Sequence, residues 1–213
     1  MELYKTIKKQ VCETQIIEKS KFIAHARPVE SREEADAFVA EIKAEYKDAT
    51  HNVPAMIIGN NGQIQWASDD GEPQGTSGPP MLQYLASQGL TNVVVVVTRY
   101  FGGTKLGTGG LVRAYSSSAK MAVEAAGICS VMEVCRIGAV IDYTHLAKVQ
   151  QAASDTLQNS DQGFIITDIQ YGEKVSIELI AAIENQEQVC GILANITSGG
   201  AEITSCESGL EKV

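Results

Sequence analysis

The chain has 213 residues, a formal net charge of −9, 44% hydrophobic and 20% charged residues, the balance of an ordinary globular protein. No apolar run nears the roughly 18 residues of a membrane span, the N-terminus lacks the apolar stretch of a signal peptide, and overall acidity speaks against a general polyanion binder. Five cysteines without a C-x-x-C pair speak against a disulfide framework or a thiolate zinc site and fit a reducing cytoplasm.

In chain order, Thr6–Ile17 and Lys21–Val29 read as extended segments around a polar turn. A helix follows, with Ser31 as N-cap, Glu34 at the capping-box position and Ala35, Phe38, Val39 and Ile42 at helical spacing. Asn52–Gly59 and Gln63–Ser68 flank Gly59-Asn60-Asn61-Gly62, a hairpin signal. Pro80–Ser87 predicts a short helix, and Val93–Val97 a strand buried on both faces. From about Gly109 to Ala126 the chain reads as helix, with Leu111, Val112, Tyr115, Ala119, Ala122 and Val123 on one face.

The remainder predicts strand Val134–Asp142, helix His145–Leu157, strands Phe164–Tyr171 and Lys174–Ala182, helix Gln186–Ile196 and a strand near Ala201–Cys206. This β-α-β-β-α-β order is the ferredoxin-like plan. The expected fold class is α+β in two domains, 1–133 and 134–213. Residues 136–213 hold four basic against eleven acidic groups, a balance of −7, leaving −2 for residues 1–135. Between Glu72 and Glu124 there is no carboxylate, yet Arg99, Lys105, Arg113 and Lys120 all lie there. A local positive field therefore belongs to the first domain.

That field coincides with five glycines in the nine positions 102–110. A buried strand, a glycine turn and a helix opening after Thr108 form the layout of an anion site, because N–H groups at a helix start and the dipole behind them favour phosphate or carboxylate. The candidate contacts are Arg99, Tyr100, Gly102, Gly103, Lys105, Gly107, Thr108, Gly109, Gly110, Arg113, Ser117 and Lys120. Neither a P-loop nor a dinucleotide fingerprint is complete: no Lys follows Gly107, and Val112 stands where the second pattern needs Gly or Ala. The competing reading is a tight loop whose cations are solvated or paired with nearby acids.

Asp69, Asp70 and Glu72 lie close together in W-A-S-D-D-G-E-P. They either pair with Arg99 or Arg113 around a turn, or bind a divalent cation and act as acid and base. His51 is a structural residue or a site residue. No catalytic nucleophile stands out, since Ser77 lies in G-T-S-G rather than G-x-S-x-G. Trp66 is either a stacking face for a base or, as a lone Trp in a strand more often is, core, and Tyr100 and Phe101 are the better stacking candidates. In the second domain, strand Lys174–Ala182 has no aromatic and the first strand only Tyr143 at its end, so the stacking platform of an RNA-recognition module is missing.

Ser68–Thr76, Arg99–Tyr115 and Ala49–Asn52 together resemble the YigZ/Impact family, whose hallmarks are S-D-D-G-E-P-x-G-T, R-Y-F-G-G-x-x-L-G-x-G-G-L-x-R-A-Y and A-T-H-N. The resemblance covers roughly residues 15–127 and departs at Val53-Pro54 and at Ser77. It implies a ribosomal protein S5 domain 2-like fold for the first domain. For the second it implies a ferredoxin-like domain similar to the last domain of elongation factor G, as in bacterial members. It also implies a role in translational control, since eukaryotic relatives restrain a starvation-sensing pathway by binding its activator protein.

The leading expectation is a cytoplasmic, non-enzymatic factor that binds RNA or a ribosomal component through the basic loop. It needs no cofactor, and its acidic second domain is left for a protein partner. The alternatives are an enzyme on a phosphorylated small molecule, with Mg²⁺ on the acidic motif, and a pure protein-interaction module.

Overall fold

The computed structural model describes residues 2–159 and 163–212, with side chains at all of these except 157–159. The chain divides into two compact units, Tyr4–Ser130 and Met1–Leu3 with Val131–Val213.

The first unit is built on a five-stranded sheet in the order β2-β3-β6-β4-β5. The strands are β2 (Val11–Ile17), β3 (Ser20–Pro28), β4 (His51–Ile58), β5 (Ile64–Ala67) and β6 (Val93–Tyr100). Every pairing is antiparallel. The expected first segment, Thr6–Ile17, is in fact broken: β1 (Glu2–Ile7) ends, the chain bends at Lys8-Lys9, and β2 restarts at Val11.

Side chains of alternate strand residues point to opposite faces, and each face of this sheet has its own helices. Val93, Val95 and Val97 join the core that includes Met81 and Leu85 of helix α2 (Gly78–Ser87) and Leu111, Tyr115 and Ala119 of helix α3 (Gly107–Ala126). Val94 and Val96 join Ala35, Phe38 and Ile42 of helix α1 (Arg32–Glu45) on the other side. All five valines are fully buried, each worth about 1.5–3 kcal/mol relative to exposure. The continuous valine run therefore marks a sheet covered on both faces, here without any parallel pairing.

Helix α1 starts as its sequence requires: Ser31 Oγ accepts the Glu34 N–H at 3.1 Å, and the Glu34 carboxylate accepts the Glu30 N–H at 2.8 Å. Two boundaries differ from the sequence reading in ways that matter. Strand β6 runs on through Thr98, Arg99 and Tyr100, so Arg99 is a strand residue. Helix α3 begins at Gly107, two residues before the expected start.

The second sheet has five strands, β7 (Ile128–Ile141), β8 (Phe164–Tyr171), β9 (Val175–Ala182), β10 (Glu202–Lys212) and β1, and β7 pairs with β9, with β10 and with β1. With helices α4 (Tyr143–Asn159) and α5 (Gln186–Thr197) between them in the chain, this β10-β7-β9-β8 order is ferredoxin-like. Its core joins Cys135, Ile137 and Ile141 of β7, Ile177 and Leu179 of β9, Val149 of α4, and Val189 and Leu193 of α5. Strand β9 alternates strictly between buried and open residues, so its sheet is covered on one face. Strand β7 begins six residues before the expected Val134, and β10 runs well beyond Cys206. Tyr143 opens α4 instead of ending a strand, stacks on Tyr171 at 6.3 Å and donates to Gly172 O.

Candidate functional site

Register places Phe22 of β3, Arg99 of β6 and His51 of β4 side by side across the first sheet. Over this row lie Tyr115 from α3 and Glu72 from the acidic turn. Arg99 Nη1 donates to Glu72 Oε1 at 2.6 Å, and Tyr115 Oη donates to the same oxygen at 2.7 Å. Arg99 Nη2 lies 3.3 Å from Ser20 Oγ, and the guanidinium covers the rings of Phe22 and Phe101 at 5.5 Å each. His51 Nδ1–H donates to Asp70 O at 2.8 Å, and Nε2 lies 3.8 Å from Glu72 Oε2.

This row corrects the expectation for Arg99. The residue is only 5% exposed, and its charge is matched internally by Glu72 instead of facing a ligand strand. A buried arginine without its carboxylate would be strongly disfavoured, which is why residues 27 apart in sequence meet here. Sequence reading missed Tyr115 as a site residue and placed it only on the apolar stripe. Its hydroxyl was the available signal, because a buried phenol needs a partner. Burial first, then the Glu72 charge, push that phenol far above its ordinary pKa, so it stays a donor.

The other two carboxylates of the acidic turn point elsewhere. Asp69 Oδ1 accepts from the N–H groups of Ser77 and Gly78 at 3.0 Å each and from Ser77 Oγ at 2.7 Å, while Oδ2 accepts from Gly75 N–H at 2.7 Å. Asp69 thus caps α2 in place of Ser77, whose hydroxyl donates to it. Burial pushes the Asp69 carboxyl up, but these hydrogen bonds outweigh it and hold the group below the usual carboxylate range. Asp70 accepts Asn52 N–H at 2.7 Å and pairs with Lys43 Nζ at 2.5 Å, a lysine of α1 and not of the basic loop. Among the described residues no group of three or more His, Cys, Asp or Glu is arranged to hold a metal ion.

The glycines shape the passage from β6 to α3. A side chain on Gly102 would collide with the Lys19 backbone at 2.0 Å, and Gly107 turns with φ +70°, a conformation that suits glycine. Ser20 Oγ holds Gly102 N–H, Thr50 Oγ1 holds Phe101 N–H, and Tyr100 Oη donates to Asp48. Helix α3 has no side-chain cap at its start, so the N–H groups of Gly107, Thr108 and Gly109 have no partner within the helix. Gly103, Lys105, Thr108, Arg113 and Lys120 are exposed. Lys120 makes a solvated pair with Glu124 at 3.6 Å, while among the described residues Lys105 and Arg113 have no ion-pair partner. Ser117 is exposed but accepts from Gln15 of β2 at 3.1 Å.

A cavity of about 380 Å³ opens at this helix start, lined by Thr50, His51, Glu72, Pro73, Arg99, Phe101, Lys105, Leu106, Gly107, Thr108 and Leu111. Of the residues expected to form one basic groove, Lys105, Gly107 and Thr108 line this cavity. Arg113, Ser117 and Lys120 lie farther along α3, and Arg99 is the cavity's buried wall.

Fold and site together define a class: a two-domain α+β protein whose first unit sets a glycine-rich helix start beside a buried Arg–Glu pair. The Impact N-terminal domain model matches residues 18–123, and the model of a domain of unknown function, DUF1949, matches residues 140–199. IMPACT family member YvyE of Bacillus subtilis is 38% identical over 206 residues, 96% of this chain and 91% of that one. IMPACT family member YigZ of Escherichia coli is 44% identical over 109 residues, 50% of this chain and 53% of that one. A solved structure of a hypothetical protein superimposes with TM-score 0.59 at 28% identity, covering 97% of this chain and 98% of that one. The chain belongs to the IMPACT family. No helix among the described residues is long and apolar enough to cross a membrane.

Proposed function

We propose that the protein is a non-enzymatic, translation-associated factor that binds RNA, free or in the ribosome, through the start and exposed face of α3. The supporting observation is the state of the cations. Arg99 is matched by Glu72, whereas Lys105 and Arg113 are exposed and without ion-pair partners among the described residues, beside a helix start that no side chain caps. Uncapped N–H groups with a positive dipole end hold one phosphate, and the exposed cations extend the contact along a strand. Membership of the family supports a place in translational control. The acidic second unit repels RNA and suits a protein partner. Against the enzyme reading stands the division of Asp69, Asp70 and Glu72 among three separate sets of partners.

The test is RNA affinity measured at several salt concentrations. Contacts from Lys105, Arg113 and Lys120 predict a log–log slope of roughly −2 for a single strand. Arg113→Ala should weaken binding and make that slope shallower by about 0.7. Lys148→Ala, in the second unit, should change neither. Salt-insensitive binding, or equal behaviour of the two variants, would remove RNA from the proposal.

A further inference from the structure

We infer that the open face of the second sheet is the docking surface for a basic, partly apolar segment of a partner protein. The inference rests on the reading of the acidic second unit as one that takes a protein partner. It is independent of RNA binding by α3.

Strand residues two apart share a face, and pairing carries each face across the sheet. Ile137, Ile177 and Leu179 share a core with Val149 of α4 and Val189 and Leu193 of α5, so the helices cover that face. On the opposite face Glu207, Arg136, Ile180 and Ile165 form one row, and Ser205, Gly138, Glu178 and Asp168 the next. Glu202 and Glu211 join the same face opposite Val140 and Met132. Five carboxylates from β8, β9 and β10 therefore share this face with the single cation Arg136, which is bound to Glu211 at 2.6 Å.

The face has a shape as well as a charge. Gly138 carries no side chain, and around it lies a recess of about 240 Å³ whose walls include Arg136, Thr167, Glu178, Ser205 and Glu207. That is below the roughly 300 Å³ at which small-ligand sites begin, and it suits one long side chain delivered by a larger partner. Glu178 and Glu207 are exposed, and among the described residues neither carboxylate has a hydrogen-bond or ion-pair partner. An arginine or lysine seated over Gly138 would meet both. Beside the recess Ile165, 43% exposed, and half-buried Ile180 form an apolar ledge that would gain from burial under the same segment.

Charge selects the occupant, because complementary fields favour one partner and repel others. The phosphates of RNA would meet carboxylates, and no residue of the two rows is aromatic, so bases have nothing to stack on. A second copy, docked by the same patch, would set these acids against themselves. The carboxylates are also too dispersed for a metal ion: among the described residues no three His, Cys, Asp or Glu are arranged to hold one. A cationic protein segment with apolar neighbours meets every feature of the face.

The test uses the full chain and a synthetic amphipathic peptide of leucine, lysine and arginine, read by fluorescence anisotropy. A counterpart with glutamate in place of every cation is the control. The basic peptide should bind and the acidic one should not. Glu178→Gln combined with Glu207→Gln should weaken the basic peptide about tenfold while melting as wild type does. Asp155→Asn combined with Glu187→Gln removes the same charge from exposed positions of α4 and α5, and should leave peptide affinity unchanged. Equal weakening by both pairs, or no binding of the basic peptide, overturns the inference. So does an RNA strand, or self-association of the chain, that is lost with Glu178→Gln and Glu207→Gln, since either would make a different molecule the occupant. Arg113→Ala should bind the peptide as wild type does. Failure of the peptide therefore leaves RNA binding by α3 intact, and failure of RNA binding leaves this surface intact.

Discussion

Two halves of one basic segment have opposite fates. At its start, Arg99 is sealed under Tyr115 and bound to Glu72; farther on, Lys105 among the glycines and Arg113 and Lys120 beyond them stand in solvent. The difference lies in what a cation costs in each place. In the sheet's interior an arginine needs a carboxylate and ring faces around it, so Arg99 recruits Glu72, Phe22 and Phe101. On the helix surface water carries the charge, and the side chain stays ready for a partner from outside. Basic character in a sequence thus divides into charge that holds the fold together and charge that acts on ligands.

Mutations at the buried half should be felt first as stability. Arg99→Ala leaves Glu72 buried without its cation and should lower unfolding free energy by about 3–5 kcal/mol, read in denaturant melts. Were this variant as stable as wild type, the two halves would not differ. Tyr115→Phe removes one donor from the same carboxylate and should cost about 1–3 kcal/mol.

Asp69→Ala uncaps α2 and should cost about 0.5–2 kcal/mol. Its carboxyl has a folded-state pKa below the ordinary value, so the stability it contributes is complete above the unfolded value and is lost as pH falls through the folded one. Melting wild type and Asp69→Ala across the acid range should therefore show their difference shrinking at low pH. Smallest of all, Arg113→Ala should move stability by no more than about 0.5 kcal/mol, while its RNA affinity falls. A large stability loss there would place Arg113 with the buried half.

Much of the fold was legible because hydrophobic period and turn chemistry are local. The valine run, the Gly59–Gly62 turn, Ser31 with Glu34, and the β-α-β-β-α-β order each carry their own signal. What was not legible depends on distant residues. Strand β6 passes through Arg99 because Phe22 of β3 and His51 of β4 pair with it there and Glu72 meets its charge from another segment, and no window around residue 99 contains those partners. Strand β7 begins early, at Ile128, because pairing partners and not local pattern set its length. The break at Lys8-Lys9 could have been read from two adjacent charges in a supposed strand. In the site, the cluster of three acids looked like one functional unit, yet alternate directions along a tight turn send each carboxylate to a different partner. The glycines were the most faithful signal, since close approach of backbone at Gly102 leaves no room for another residue.

The clasp that Asp69 makes has a kinetic meaning as well. Its hydrogen bonds reach residues six to nine positions along the chain, so little loop entropy opposes its closure. Glu72, by contrast, must find an arginine 27 residues away. A turn that closes on itself early holds Glu72 in a short, curved arc while the slower, non-local pairing proceeds. The local ring thereby narrows the search of the distant ion pair, and slowing its closure by Asp69→Ala would slow assembly of the sheet around Arg99.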